Sequence, residues 1–248
     1  MATRAEILRE LKLAPEWRLR GRADPADAVD APAHDGAAER IAVAADDPAA
    51  RSARIAGLDW DAFDADVAAC TACGLCRTRN RTVPGVGDRE ADWLFVGEGP
   101  GAEEDARGEP FVGQAGRLLD SMLAALGMNR HDRVYIANVV KCRPPGNRTP
   151  EPGEADACRP YLERQIELIR PKLIVALGKS AASLLLRTDA TIASLRGRRH
   201  LYGETPLVVT YHPAYLLRNL PDKARAWEDL LFARRVAASG APAGPPGA

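Results

Sequence analysis

The chain has 248 residues, which is enough for one domain with a substantial buried core and some additional sequence. Lysine plus arginine and aspartate plus glutamate both number 34, so net charge neither indicates nor excludes a nucleic-acid partner. The charge is uneven, because residues 1–66 carry 9 basic and 14 acidic residues and residues 67–248 carry 25 and 20. No long apolar run predicts a membrane span, and the N-terminal residues lack the pattern of a secretion signal. We therefore expect a cytoplasmic protein.

Three stretches of different composition follow one another along the chain. The first 18 residues predict a short amphipathic helix, because their large apolar residues recur near helical spacing. From Gly21 to about Gly57, alanine, aspartate and proline dominate; such a stretch cannot bury enough apolar surface to offset its ordering entropy, so we predict a disordered linker. We therefore expect an N-terminal extension over 1–66, a folded domain over 67–237 and a disordered tail over 238–248.

Strand-like and helix-like segments alternate within the folded domain. Four short apolar runs rich in Val, Ile, Leu and aromatic residues predict strands buried on both faces, at 93–98, 133–140, 173–178 and 207–212. Segments with helical spacing lie between and after them, with Pro160 expected to kink or restart the second, at 114–126, 151–169, 179–186 and 222–236. This alternation predicts an α/β fold, a three-layer α/β/α sandwich around a central four-stranded parallel sheet.

Polar and glycine residues stand where the predicted strands end. In chain order they are Gly97, Glu98, Gly99, Asn138 and His212. In an open parallel sheet, ligands bind beyond the carboxyl ends of the strands. The sequence therefore predicts one site that combines a glycine-rich turn, a carboxylate, a carboxamide and an imidazole. The glycine spacing of that turn does not match the dinucleotide-binding fingerprint.

Five cysteines indicate a second site. Cys70, Cys73 and Cys76 form a C-x2-C-x2-C group, and Cys142 and Cys158 follow further along the chain. Four thiolates without a histidine suit an iron–sulfur cluster or a structural zinc, whereas unrelated buried thiols are the plainer alternative. The first pair of ligands is either Cys70 with Cys73, which we favour, or Cys73 with Cys76. No flavin or nicotinamide signature accompanies them, which favours a structural role over electron transfer.

Three long motifs resemble the family 4 uracil-DNA glycosylases. They are GEGPGAEEDARGEPFVGQAG at 97–116, YIANVVKCRPPGNRTP at 135–150 and HPAYLLRN at 212–219. The cysteine spacing is similar to that family as well, and the likeness runs from about Cys70 to Phe232 and leaves out residues 1–66. The resemblance implies the α/β fold of the uracil-DNA glycosylases. It also implies a [4Fe–4S] cluster held by Cys70, Cys73, Cys142 and Cys158, with Cys76 as a packed side chain.

The resemblance also implies a role for each residue of the predicted site. The reaction would be hydrolysis of the N-glycosidic bond of uracil in DNA, as in base excision repair, leaving an abasic site without lyase activity. Asn138 would read the Watson–Crick edge of the base, and His212 would stabilise charge developing on uracil. Glu98 would activate water or only shape the pocket, two alternatives that stay open. The remaining substrate contacts implied are backbone groups of Gly97 and Gly99, stacking by Phe111, a leucine wedge at Leu216 or Leu217, and a phosphate contact by Arg218.

The partners expected are uracil-containing DNA, single- or double-stranded, and no membrane. We expect a monomer, with a protein partner bound through residues 1–66 as a further hypothesis. One alternative is a relative that binds uracil-DNA stably or covalently, although the basic histidine-containing loop of those relatives is absent from KCRPPGNRTP. The others are a non-catalytic module associated with a DNA polymerase and an iron–sulfur electron carrier.

Overall fold

The computed structural model describes residues 47–239. Its centre is a six-stranded sheet in the order β1-β3-β2-β4-β6-β5. The strands are β1 (Val86–Gly87), β2 (Trp93–Gly97), β3 (Val134–Asn138), β4 (Leu173–Leu177), β5 (His200–Tyr202) and β6 (Thr205–Thr210). The four inner strands are parallel, and the short edge strands β1 and β5 pair antiparallel. The prediction of four parallel strands is confirmed, and the sequence did not reveal the two edge strands because each is only two or three residues long.

Helices cover both faces of this sheet. Their bounds are α1 (Pro48–Ala56), α2 (Trp60–Ala69), α3 (Ala102–Arg107), α4 (Gln114–Ala125), α5 (Pro152–Ile169), α6 (Gly178–Leu186), α7 (Ile192–Leu195), α8 (Pro213–Leu216) and α9 (Asp222–Ser239). Pro160 lies inside α5, which continues through it as one helix, so the predicted restart is wrong. Within residues 47–239, no helix is both long and apolar enough to cross a membrane.

The inner strands alternate their side chains between two cores. Leu94 and Val96 of β2 belong to a cluster on the face covered by α1, α2, α5 and α6. Trp93 and Phe95 belong to the opposite cluster, with α4 and α9. Because successive side chains of a strand point to opposite faces, one strand supplies both cores. The three-layer α/β/α architecture is therefore confirmed, and both layers hold the carboxyl edge of the sheet in place.

The two helices before residue 70 belong to the compact unit. Asp47 caps α1 with Pro48 at its first position, and the Asp59 carboxylate accepts a hydrogen bond from Ala62 N at 2.9 Å at the start of α2. Phe63 of α2 is fully buried. For residues 47–57 the predicted linker is therefore wrong, and the predicted boundary between 66 and 67 lies inside α2. Asp47 and Pro48, residue types that suggest disorder in the sequence, here begin a helix.

The sequence predicts a disordered tail that begins at 238, but α9 continues to Ser239, so the prediction is wrong for residues 238–239. The rest of that tail, 240–248, and the predictions for residues 1–46 lie outside the described residues.

Candidate functional site

A cleft of about 480 Å³ opens at the carboxyl edge of the sheet. It is bordered by the turn after β2, the end of β3, the loop between β3 and α5, and the start of α8. The residues predicted for the site that line it are Glu98, Gly99, Phe111, Asn138, His212 and Arg218. The structure thus brings together side chains that are more than 100 positions apart in the chain, because parallel strands end at one edge.

Gly97 lets two side chains of the predicted site lie against the backbone of β2. It pairs with Asn138 in the parallel ladder between β2 and β3. A Cβ atom at this position would lie 2.4 Å from Asn138 Oδ1 and 2.8 Å from Cζ of Phe111. Any side chain there would displace the carboxamide and the aromatic ring. Gly97 is therefore required for close packing of Asn138, which is only 2% exposed, and of Phe111.

Phe111 is held in an unusual backbone conformation. Its φ is 55°, in the left-handed region that a bulky residue rarely adopts. Arg130 Nη2 donates to the Phe111 carbonyl oxygen at 2.9 Å and to Asp120 at 2.8 Å, and Arg130 Nη1 donates to Glu109 at 2.9 Å. Sequence reasoning missed Arg130, because it lies 19 positions beyond Phe111 in a loop with no motif of its own. The guanidinium fixes the loop that carries the ring.

Glu104 joins the two glycine turns on either side of Phe111. Its carboxylate accepts hydrogen bonds from Gly101 N at 3.1 Å and from Val112 N at 3.0 Å. It also lines the cleft. Glu104 lies three residues after Gly101, the N-cap residue of α3, which is the position of the glutamate in a capping box, but Gly101 has no side chain to complete the sequence signature. The carboxylate therefore closes the loop of residues 101–112 into a rigid wall.

His212 is the N-cap residue of α8 and is neutral near pH 7. Its Nδ1 accepts a hydrogen bond from Ala214 N at 3.1 Å, so the ring proton lies on Nε2. Burial, together with the nearby positive charge of Arg218, lowers the pKa of His212 to about 4. The ring centre lies 5.5 Å from that of Phe111. The cleft thus holds an imidazole N–H donor next to an aromatic face.

Two adjacent leucines at the end of α8 differ in burial, a difference that the sequence did not reveal. Leu216 is 1% exposed and packs in a small core with Tyr211 and Ala226. Leu217 is 39% exposed. The prediction that Leu216 enters a DNA duplex is therefore wrong, because its side chain is part of the core. Arg218, two residues later, is exposed at the rim of the cleft.

The five cysteines line one small cavity on the α1–α2–α5 face. Cys70 and Cys73 lie at the end of α2 and just after it, Cys142 follows β3, and Cys158 lies on α5. Cys76 lines the same cavity, so both alternatives for the first ligand pair fit its walls. Within residues 47–239, no three His, Cys, Asp or Glu side chains already have the arrangement of a metal-ion site. The all-sulfur donor set nevertheless fits a thiolate-bound group.

Cationic groups and a backbone amide point at these sulfur atoms. Arg79 Nη1 lies 3.2 Å from Cys142 Sγ, and Arg51 Nη2 lies 3.5 Å from Cys70 Sγ. The Lys141 backbone N–H donates to Cys158 Sγ at 3.3 Å. Donors of this kind stabilise thiolates, which are the metal-binding form of cysteine.

Burial acts against that ionisation in the thiols themselves. It raises the pKa of Cys142 to about 11 and that of Cys158 to about 12. Both thiols must therefore lose a proton when they bind a metal, and the surrounding donors favour that loss.

Comparison with a family profile and with three relatives shows where this architecture belongs. The sequence profile of the uracil DNA glycosylase superfamily matches residues 84–231. A type-4 uracil-DNA glycosylase from Thermotoga maritima is 49% identical over 158 residues, which cover 63% of this chain and 82% of the relative. Another from Archaeoglobus fulgidus is 46% identical over 160 residues, covering 61% and 80%. A type-5 uracil-DNA glycosylase from Thermus thermophilus is 34% identical over 151 residues, covering 53% and 68%. The chain therefore belongs to the uracil-DNA glycosylase superfamily, within its type-4 family.

Proposed function

We propose that the protein is a uracil-DNA glycosylase of base excision repair, which hydrolyses the N-glycosidic bond of uracil in DNA and leaves an abasic site. The observation that carries this proposal is the meeting of the Asn138 carboxamide, the Phe111 ring and the His212 imidazole in one cleft. These groups suit a planar base with two carbonyl oxygens and one N–H.

Asn138 would select uracil against cytosine. A carboxamide both donates and accepts, so it can donate to O4 of uracil and accept from N3–H. Cytosine presents a donor at C4 and no proton on N3, so the same carboxamide would be left mismatched. Buried polar groups that lose their partner are costly, and this gives discrimination. The near-complete burial of Asn138 supports this role.

His212 would stabilise the leaving group. Cleavage of the glycosidic bond moves negative charge onto uracil O2, and the Nε2–H of His212 would donate to that oxygen. A neutral imidazole suits this task at neutral pH, and the low pKa of His212 keeps it neutral there. One preorganised donor of this kind is worth about 3–4 kcal/mol of transition-state stabilisation. Phe111 would stack on the extruded base and exclude water.

The reaction would end at the abasic site. The lining of the cleft, as far as residues 47–239 describe it, includes no lysine that would form a Schiff base with the sugar. Glu98 lines the cleft and is our candidate for polarising the attacking water, with shaping of the pocket as the alternative. Backbone groups of Gly97 and Gly99 would complete the base pocket.

DNA contacts would come from the rim of the cleft. Arg218 would bind a phosphate, and Leu217, which is exposed directly before it, would fill the space left by the extruded base. Of the two leucines expected as the wedge, Leu217 would therefore have this role and Leu216 would not.

A [4Fe–4S] cluster would be held by Cys70, Cys73, Cys142 and Cys158, with Cys76 as the alternative to Cys70. When bound, such a cluster would cross-link four cysteines from segments that are distant in the chain, and its role would be structural. The cavity shared by these thiols supports the assignment. The iron and sulfide content of the purified protein tests it, and zinc in place of iron would contradict it.

The enzyme would act as a monomer in the cytoplasm. A protein partner is expected to bind residues 1–66, and we narrow this candidate arm to residues 1–46. Deleting 1–46 rather than 1–66 tests that role, because α1 and α2 pack into the folded unit. The hypothesis fails if this deletion changes no interaction or repair phenotype.

The activity is tested with a single-stranded oligonucleotide that contains one uracil, followed by alkaline cleavage of abasic sites. Asn138→Ala and His212→Ala accompany the full-length protein. We expect strand breaks only after alkali, reduced by about 10²–10³-fold in His212→Ala and strongly reduced in Asn138→Ala. Tight binding without breaks would favour a DNA-binding relative. The absence of both binding and cleavage would contradict the proposal.

A further inference from the structure

Lys141 is a buried cation that joins the cysteine cavity to the base-reading asparagine. Its side chain is 1% exposed. Nζ donates to the Asn138 backbone carbonyl at 2.8 Å and to Gln165 Oε1 at 2.5 Å. Its backbone N–H donates to Cys158 Sγ at 3.3 Å, and the next residue is Cys142. One residue therefore contacts both the site and the cavity.

The partners of Lys141 are held firmly in turn. Gln165 lies on α5 and is fully buried. Its Nε2 donates to the Pro84 carbonyl at 2.8 Å and lies 3.3 Å from the hydroxyl of Tyr135, a residue of β3. The Lys141 ammonium thus connects the end of β3 to α5, the helix that also carries Cys158.

Within residues 47–239, this ammonium donates to a backbone carbonyl oxygen and to a side-chain amide oxygen, and both acceptors are neutral. A buried charge is costly unless it is hydrogen-bonded and compensated. Four thiolates in the neighbouring cavity, two of them from Cys142 and Cys158, would supply the compensating negative charge.

We propose that Lys141 is a positioning residue for uracil recognition: it fixes the Asn138 backbone, and thereby the carboxamide, relative to the cysteine-bound group. This inference rests on the proposed function. According to this inference, residues 138–142 connect the cysteine-bound group rigidly to the uracil pocket. Lys141 itself does not touch the base.

The test compares binding to two single-stranded oligonucleotides by fluorescence anisotropy. One carries 2′-fluorodeoxyuridine, which resists cleavage, and the other carries a tetrahydrofuran abasic analogue that has no base for Asn138 to read. Full-length wild type, Lys141→Met, Gln165→Met and Arg164→Met are compared. Arg164 is the matched control, because its Nε donates to the Leu58 carbonyl at 2.6 Å from the same helix as Gln165. Iron content and the midpoint of thermal unfolding are measured for each protein.

We expect Lys141→Met to weaken binding of the uracil analogue by about tenfold, the factor that corresponds to about 1.4 kcal/mol, while abasic binding stays unchanged. Gln165→Met should act in the same direction by about threefold, since Lys141 keeps its bond to Asn138. Arg164→Met should leave the ratio of the two affinities unchanged. Should Lys141→Met not fold, Gln165→Met decides the question.

Two results would overturn the inference. One is an unchanged ratio of affinities in both Lys141→Met and Gln165→Met. The other is an equal loss of binding to both oligonucleotides together with loss of iron, because Lys141 would then act on the fold alone. A wild-type protein that does not prefer the uracil analogue contradicts the proposed function instead, and the two failures are thereby distinguished.

Discussion

The cleft and the cysteine cavity lie at the two ends of the segment 138–142, and they obtain their geometry in different ways. The cleft is built on adjacent parallel strands, and the ladder itself sets Gly97 beside Asn138. The cavity gathers thiols from α2, the turn after it, the loop after β3 and α5, which no common ladder aligns. The strand ladder should therefore align the backbone of the cleft by itself, whereas the arrangement of the thiols depends on what they bind.

The supporting side chains follow the same division. Around the cleft, Glu104 and Arg130 bond mostly to backbone groups of one loop and keep Phe111 in a strained conformation. Around the cavity, Arg51 and Arg79 reach the sulfur atoms from different segments of the chain. We therefore expect changes at the cleft to affect chemistry first, and changes at the cavity to affect stability first.

The largest effect is expected from removing a cysteine ligand. Cys158→Ala should abolish iron retention and lower the free energy of unfolding by several kcal/mol, on the order of 3 or more, because binding energy of a structural group is folding energy. Cys76→Ala is the matched control, with an expected loss below about 1 kcal/mol. Iron analysis and urea unfolding provide the measurements. If Cys158→Ala retains iron, Cys158 is not a ligand. If Cys76→Ala loses iron, Cys76 is a ligand, and either result contradicts the assignment.

A smaller effect separates two neighbouring leucines at the rim of the cleft. Leu216→Ala should lower the free energy of unfolding by about 3 kcal/mol, because it leaves a cavity in the core formed with Tyr211 and Ala226. Leu217→Ala should change it by less than about 0.5 kcal/mol and should instead weaken excision from duplex DNA. Urea unfolding and excision rates on single- and double-stranded substrates distinguish them. Equal destabilisation by both changes would show that Leu217 also packs in the core.

The smallest effect concerns the pH dependence of stability. The pKa of His212 is about 4 in the folded protein and 6.5 in an unperturbed side chain, so the unfolded chain binds more protons between these values. The stability that neutral His212 contributes is therefore complete above about pH 6.5 and lost as pH falls towards 4. By pH 5 the loss should be on the order of 2 kcal/mol. Urea unfolding at pH 7 and 5 should show this loss in wild type and not in His212→Asn, which keeps an N-cap acceptor.

The sequence alone determined the fold class and most of the site. Short buried apolar runs separated by helical patterns specify a parallel sheet, and the position of polar residues at the strand ends then places Asn138 and His212 at one edge. Sequence patterns are sufficient for these features because the spacing of apolar residues and the position where a strand ends depend on residues that are close together in the chain. The same locality explains why the bounds of the four inner strands agree with the prediction within a few residues.

Tertiary structure decided what depends on contacts between distant segments. Only packing shows that Leu216 is buried and Leu217 exposed, because the two are adjacent leucines at the end of one short helix. Only packing shows that residues 47–66, which are rich in alanine and aspartate, cap and form helices, one of which brings Arg51 to Cys70. The bonds of Arg130 to Phe111 and of Lys141 to Asn138 follow no sequence motif. Burial and hydrogen-bond partners arise from the whole fold, so a linear pattern specifies the residues of this site but not the contacts that support them.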